Sequence, residues 1–202
     1  MTESARGAPG RDQLLDAALR LIGDRGVKAA TVRAVAEEAG VTPGLVVHHF
    51  GTKARLATEV DQLVLSRFSA AMAVDAEVAT PGDAAQVIST RLSHTIGTDA
   101  SLRNYVRRAI LEASPAGRAI VERLVELTIA NLREHTDTAK LPTGRDLTWL
   151  AVQIVTINLA GTLLEPLLEP LLDAAPFSPA EVRRRTTANL DLLSSALERF
   201  VN

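Results

Sequence analysis

Cysteine is absent from all 202 residues. That excludes a disulfide framework, thiolate chemistry and cysteine-ligated metal, and makes a reducing cytoplasmic setting the expectation. Aromatic residues are only 3% of the chain, which suits packed helices rather than strands. Neither sign of charge dominates: 22 Lys and Arg oppose 24 Asp and Glu. A general polyanion binder is thereby excluded, and any affinity for nucleic acid has to be local. The opening nine residues, MTESARGAP, lack the apolar core of a secretion signal and read as a flexible arm. Nucleophile elbow, phosphate loop and zinc signature are all missing, and the histidines at 48, 49, 94 and 135 have no ligand-type spacing. No catalytic residue, metal or cofactor is therefore expected, and an enzyme is the disfavoured class.

What the chain does have is helical grammar. Hydrophobic residues reach 47%, with leucine and alanine dominant. Ser or Thr followed by Pro recurs at Thr42-Pro43, Thr80-Pro81, Ser114-Pro115 and Ser178-Pro179, each pairing an N-cap with a first-turn proline. Ser178 with Glu181, and Thr143 with Asp146, have capping-box spacing. Between these marks, helices are predicted near 11–24, 31–38, 43–49, 53–76, 81–97, 100–113, 115–135, 144–172 and 179–200, with no credible strand. The fold class is all-α. Between Arg6 and Arg55 basic residues outnumber acidic ones, so the N-terminal part is mildly positive.

The densest signal runs from Ala30 to Leu56, ATVRAVAEEAGVTPGLVVHHFGTKARL. Thr31 is placed to cap a short helix, and Gly40 sits where a helix ends in a left-handed residue. Thr42 and Pro43 start a helix of about two turns, too short to be stable alone. Leu45, Val46 and Phe50 are the residues expected to pin it. Lys53 follows the Thr52 cap.

This segment resembles the helix-turn-helix of the TetR family of transcriptional regulators: Thr31, the turn glycine Gly40, Thr42 and the run Val47, His48, His49, Phe50 followed by Lys53. The motif covers roughly residues 11–60; beyond it, the likeness is one of length and helical layout. Val47 and His49 stand where the family usually has tyrosines. The resemblance implies a flexible arm over 1–9, a three-helix DNA-binding domain over 10–56 and a helical ligand-binding and dimerisation domain over 57–202, about nine helices in all. It implies a homodimer on a palindromic operator of double-stranded DNA, released by a small-molecule effector, with no membrane involved. Repression is favoured over activation, because blocking a promoter needs only occupancy. A helical protein-interaction module without DNA binding, or an activator of the same fold, is the alternative.

The DNA-contacting candidates are Thr31, Arg33, Thr42, Pro43, Gly44, Leu45, His48, His49 and Lys53. Arginine at position 33 suits a base edge, lysine at 53 suits a phosphate, and Gly44 permits close backbone approach. Further on, Leu147 to Leu164 is an uncharged run interrupted by Gln153, Asn158 and threonines and followed by Pro166 and Pro170. It reads as a helix buried on two sides and kinked or ended by the prolines. Trp149, Gln153 and Thr156 fall on one side and are assigned to a ligand cavity with Arg91, His94 and Tyr105. Asn158 and Thr162 fall on the other and are assigned to the dimer interface with Val182, Thr186, Asn189, Leu193, Leu197 and Phe200. Arg91 could receive an acidic ligand group or form an interhelical salt bridge.

Overall fold

The computed structural model describes residues 10–74, 81–135 and 141–201, and of residues 81, 82, 145 and 193–201 it describes the backbone alone. The expected arm, residues 1–9, and the Thr80 cap lie outside the described residues. So do the side chains of Leu193, Leu197 and Phe200. Every regular element among the described residues is helical: α1 Arg11–Arg25, α2 Val32–Glu38, α3 Pro43–Phe50, α4 Lys53–Met72, α5 Pro81–Thr98, α6 Ala100–Leu111, α7 Pro115–His135, α8 Arg145–Leu163, α9 Glu165–Leu168 and α10 Pro179–Val201.

The proline grammar holds at the helix starts. α3, α7 and α10 each begin on the proline that follows Thr42, Ser114 or Ser178. Ser114 Oγ accepts from the Gly117 amide at 3.1 Å and Ser178 Oγ from the Glu181 amide at 3.4 Å. The Thr143 capping box does not form: α8 starts on Arg145, after Gly144 at φ 57°. Its residues 144–172 are also not one helix. The ladder breaks at Leu164, a short α9 carries Pro166, and a single 3-10 turn carries Pro170, as two donors missing from one ladder require. α4 stops at Met72 instead of continuing to 76, because Arg91 donates to the Ala73 carbonyl and Asn131 to the Met72 carbonyl at 3.3 Å. Those side chains take over acceptors that another turn would have used.

α1 to α3 form the N-terminal head, and α4 runs from it into the body. α6 packs along α1, and α7 lies on α6 and α8. One continuous core runs from Leu14, Val35, Val46 and Phe50 in the head through Val64 and Phe68 of α4 to Leu102, Ile120 and Leu159. Polar clamps reinforce the junction of head and body. Arg67 of α4 donates to Asp16 of α1 and to Asp99, both at 2.8 Å. Asp99 also caps α6, accepting from the Leu102 amide at 3.0 Å. α8 is long and apolar enough between Asp146 and Leu163 to cross a membrane by length and composition. In this fold its Leu147, Ala151, Val155 and Leu159 are instead buried in the body, where α8 lies along α7, α6 and α10.

Candidate nucleic-acid interface and interior cavity

α2 closes on a left-handed glycine, Gly40 at φ 68°, a conformation that costs a residue with Cβ. Behind it the Val41 amide returns to the Ala36 carbonyl at 2.8 Å, which turns the chain sharply into α3. Thr31 caps α2 as expected, its Oγ1 accepting from the Ala34 amide at 3.1 Å. Thr42 has the extended backbone of a cap, but its side chain makes no cap bond, so its exposed hydroxyl is left to other partners. Arg20 holds α2 against α1 through Glu38 at 2.9 Å.

α3 has two opposed faces. Val46 is 0% and Phe50 1% exposed, and the Arg11 guanidinium lies 5.5 Å from the Phe50 ring centre. Thr42, Pro43, Gly44, Val47 and His48 face outward, Val47 with 48% exposure. Leu45, named both as a pin of α3 and as a DNA-contacting candidate, is half-buried against the core, as the pinning role requires. His49 is also half-buried, its ring 5.4 Å from His48 and 6.1 Å from Phe50. Arg33 of α2 is exposed and forms no hydrogen bond or ion pair among the described residues. Lys53, at the first position of α4 behind the Thr52 cap, donates one of its three ammonium hydrogens to the Lys28 carbonyl at 2.7 Å. Two donors remain for an outside acceptor. Thr31, Arg33, Thr42, Gly44, His48 and Lys53 are thus brought to the head's α2 and α3 side, and among the described residues no carboxylate pairs with Arg33 or Lys53.

The body encloses a cavity of about 140 Å³. Phe68 and Met72 of α4, Ile88 of α5, Leu124 of α7, Val155 of α8 and Leu190 of α10 supply much of its apolar wall. None of the six expected ligand residues lines it. Trp149 is 64% exposed, and Gln153 and Thr156 share its outward side. Arg91 is spent on the end of α4, and His94 is exposed. Tyr105 is buried elsewhere, donating its hydroxyl to Asp61. Burial first, and then the Asp61 carboxylate, push that phenol far above its ordinary pKa.

Four of the residues expected between subunits face the cavity instead. Asn158, Thr162, Thr186 and Asn189 line it, Thr162 with 1% exposure. Thr186 shares hydrogen bonds with Ser89 at 3.4 Å and Ser93 at 3.3 Å. Val182 packs 3.9 Å from the position a Cβ would take on Gly97 of α5. On α8 it is thus the Asn158 and Thr162 side that meets the cavity, and the Trp149, Gln153 and Thr156 side that faces outward, because helical phase separates two faces but does not say which neighbour each one meets. Arg185, another cavity residue, was missed. Its signal was the phase of α10: of Arg183, Arg184 and Arg185, only the last shares the stripe of Val182, Thr186 and Asn189.

A fold that is helical throughout its described residues, and whose exposed two-turn helix follows a left-handed glycine turn, defines a helix-turn-helix protein. Residues 14–60 match the model of the bacterial regulatory proteins of the tetR family, so the head is similar to the DNA-binding part of those regulators. The HTH-type transcriptional regulator BetI of Rhizobium meliloti is 52% identical over 46 residues, 23% of each chain. The HTH-type transcriptional repressor KstR2 of Mycolicibacterium smegmatis is 46% identical over 50 residues, 25% of this chain and 24% of that one. The match thus spans about a quarter of these curated relatives' length. The fold likeness extends much further. A TetR-like transcriptional regulator from Rhodococcus sp. RHA1 aligns over 98% of this chain and 97% of its own, with TM-score 0.67 and 22% identity. FadR of Bacillus subtilis, solved in complex with stearoyl-CoA, aligns over 92% of this chain and 98% of its own, with TM-score 0.72 and 18% identity.

Proposed function

We propose that this protein is a transcriptional repressor that binds a palindromic operator as a homodimer, in the cytoplasm, and leaves it when a small molecule enters the cavity. The observation that carries the reading is the division of α3. One side is held by Val46 and Phe50, while Thr42, Gly44, Val47 and His48 stand clear of the head. A short helix so held can enter a major groove as a rigid body. Two copies related by a two-fold axis would meet successive grooves about 34–36 Å apart.

The dimer has its own support. Trp149, Leu164, Leu167, Leu171, Leu172 and Leu192 are exposed large apolar residues, all on the outer side of α8, the segment after it, and α10. An apolar patch of this kind marks a contact surface, and a second copy of the chain fits the two-fold geometry. Ligand control fits α4. Phe68 and Met72 at one end line the cavity, and Lys53 and Leu56 at the other adjoin α3. Twenty residues of helix span about 30 Å, so a small tilt at the cavity moves the head. The ligand has to favour the tilted state over the DNA-bound one.

Gel shifts on the promoter beside its own gene, and a genomic operator selection at low salt without added ligand, test the reading. Retention of no DNA sequence at all would leave a protein-interaction module. Within a bound operator, Arg33→Ala is expected to lower affinity by about 1–3 kcal/mol and to blur preference at one base pair per half-site. A competition series over single-base operator variants measures this, and unchanged preference would make Arg33 a backbone contact. Lys53→Ala is expected to weaken all sequences alike and to reduce the slope of log K against log salt by about one. A salt titration reads that slope, and an unaltered slope removes the phosphate role.

A further inference from the structure

α10 carries three consecutive arginines, and they end in different places. Arg183 and Arg184 are exposed, and Arg184 pairs with Glu181 at 2.6 Å. Arg185 turns inward and lines the cavity. Its guanidinium lies 4.7 Å from the Phe177 ring centre and rests on α8 at Gly161, where a Cβ would collide with it. Glycine at 161 is what allows the charged group to reach this depth.

No hydrogen bond or ion pair holds Arg185 among the described residues. The carboxylate beside it, Glu165, is already taken. Arg103 donates to both its oxygens at 3.1 and 3.3 Å, and Arg107 donates to it as well. Arg103 also lies 4.4 Å from the same Phe177 ring. Three guanidiniums thus converge on one carboxylate, and Arg185 is the one left over. Burial, and then the like charge of Arg103, push its pKa down, with Glu165 offsetting only part. A guanidinium has five donors and no means of neutralising itself by losing a proton, so an anion arriving at this point gains a partner that the protein leaves unmatched. The remaining wall is mostly apolar.

We propose that the cavity binds an amphipathic carboxylate: an unbranched apolar chain lying along Phe68, Met72, Ile88 and Leu124, with its carboxylate on Arg185 next to Thr162. The proposal rests on the reading of this cavity as the effector site. Its room, about 140 Å³, equals on the order of ten water-sized spheres, which suits a medium-length chain. The fork of Arg185 matches the two carboxylate oxygens, and aliphatic carbon replaces contacts that water makes poorly with such a wall.

The test uses the full chain without DNA. Calorimetry with straight-chain carboxylates of about eight to sixteen carbons is compared with alcohols and trimethylammonium salts of equal length. Carboxylates are expected to bind, and the matching alcohols to bind roughly ten- to a hundredfold more weakly, the range for a charge-assisted hydrogen bond. The ammonium salts are expected not to bind. Arg185→Met should bring the carboxylate down to the alcohol's affinity and leave the alcohol unchanged, and Arg185→Lys should recover part of the difference. Equal binding of carboxylate and alcohol to the unaltered protein overturns the proposal, whether or not the variants fold. So does an absence of binding by every carboxylate. Operator release is measured separately: carboxylate binding that depends on Arg185 without release upholds this site and faults the effector role.

Discussion

Glutamate at both Trp149 and Leu167 is expected to produce a folded monomer whose affinity for the full operator falls by about a hundredfold or more. The two side chains are 64% and 68% exposed, so the charges meet only water in the separated subunit and the fold should tolerate them. In a symmetric interface each substitution appears twice, and residues near the axis face their own copies. Like charges would then be desolvated opposite each other, where Trp and Leu had removed apolar area from water at roughly 25 cal/mol per Å². Losing the second head removes the gain from linked binding, typically about 10²- to 10⁴-fold. Sedimentation gives the oligomeric state, and gel shifts on a full operator and a half-site separate the two effects. Half-site affinity should not change. A double variant that still sediments as a dimer would place the interface elsewhere.

Phe50→Ala is expected to cost about 3–5 kcal/mol, the usual range for emptying a buried aromatic site, and to abolish operator binding at every sequence. Eight residues of α3 cannot hold a helix by themselves, so its rigidity comes from what it touches. Phe50 is 1% exposed, in one core with Val35, Val46 and Leu56, and Arg11 lies over its ring. Removing the ring frees α3 and also leaves the Arg11 guanidinium without that partner. Against a typical total of about 5–15 kcal/mol, such a loss is large. Denaturant unfolding reads the stability. Gel shifts below the transition read the DNA affinity, and normal affinity from a destabilised protein would mean that α3 is not the reading element. The cavity lies beyond Phe68, so ligand binding should survive where the chain remains folded.

The head was legible because its signals are local. A cap, a first-turn proline and a left-handed glycine fall within a few residues of one another, and each acts on its own stretch of backbone. The places of Arg33 on α2 and of Lys53 at the start of α4 were legible for the same reason, being fixed by position relative to those marks. The interior of the body was not. α8 and α10 carry polar residues on more than one side, so Asn158 and Thr162 looked as suited to a partner subunit as Trp149 and Gln153 looked to a ligand, whereas the first pair lines the cavity and the second is exposed. Arg91 was an arginine on an apolar face until its partner, the Ala73 carbonyl, gave it a capping role.

From its order of residues alone the chain settles where the proline-marked helices start, the sharp turn before α3, and which side of α3 is apolar, since backbone hydrogen bonding and helical phase act over one or two turns. Only tertiary packing decides that Arg185 ends beside a carboxylate already engaged by two other arginines, that α8 turns Trp149 outward, and that α4 links cavity to head. Those outcomes depend on contacts between segments scores of residues apart, and no local pattern specifies which of two suitable surfaces will meet.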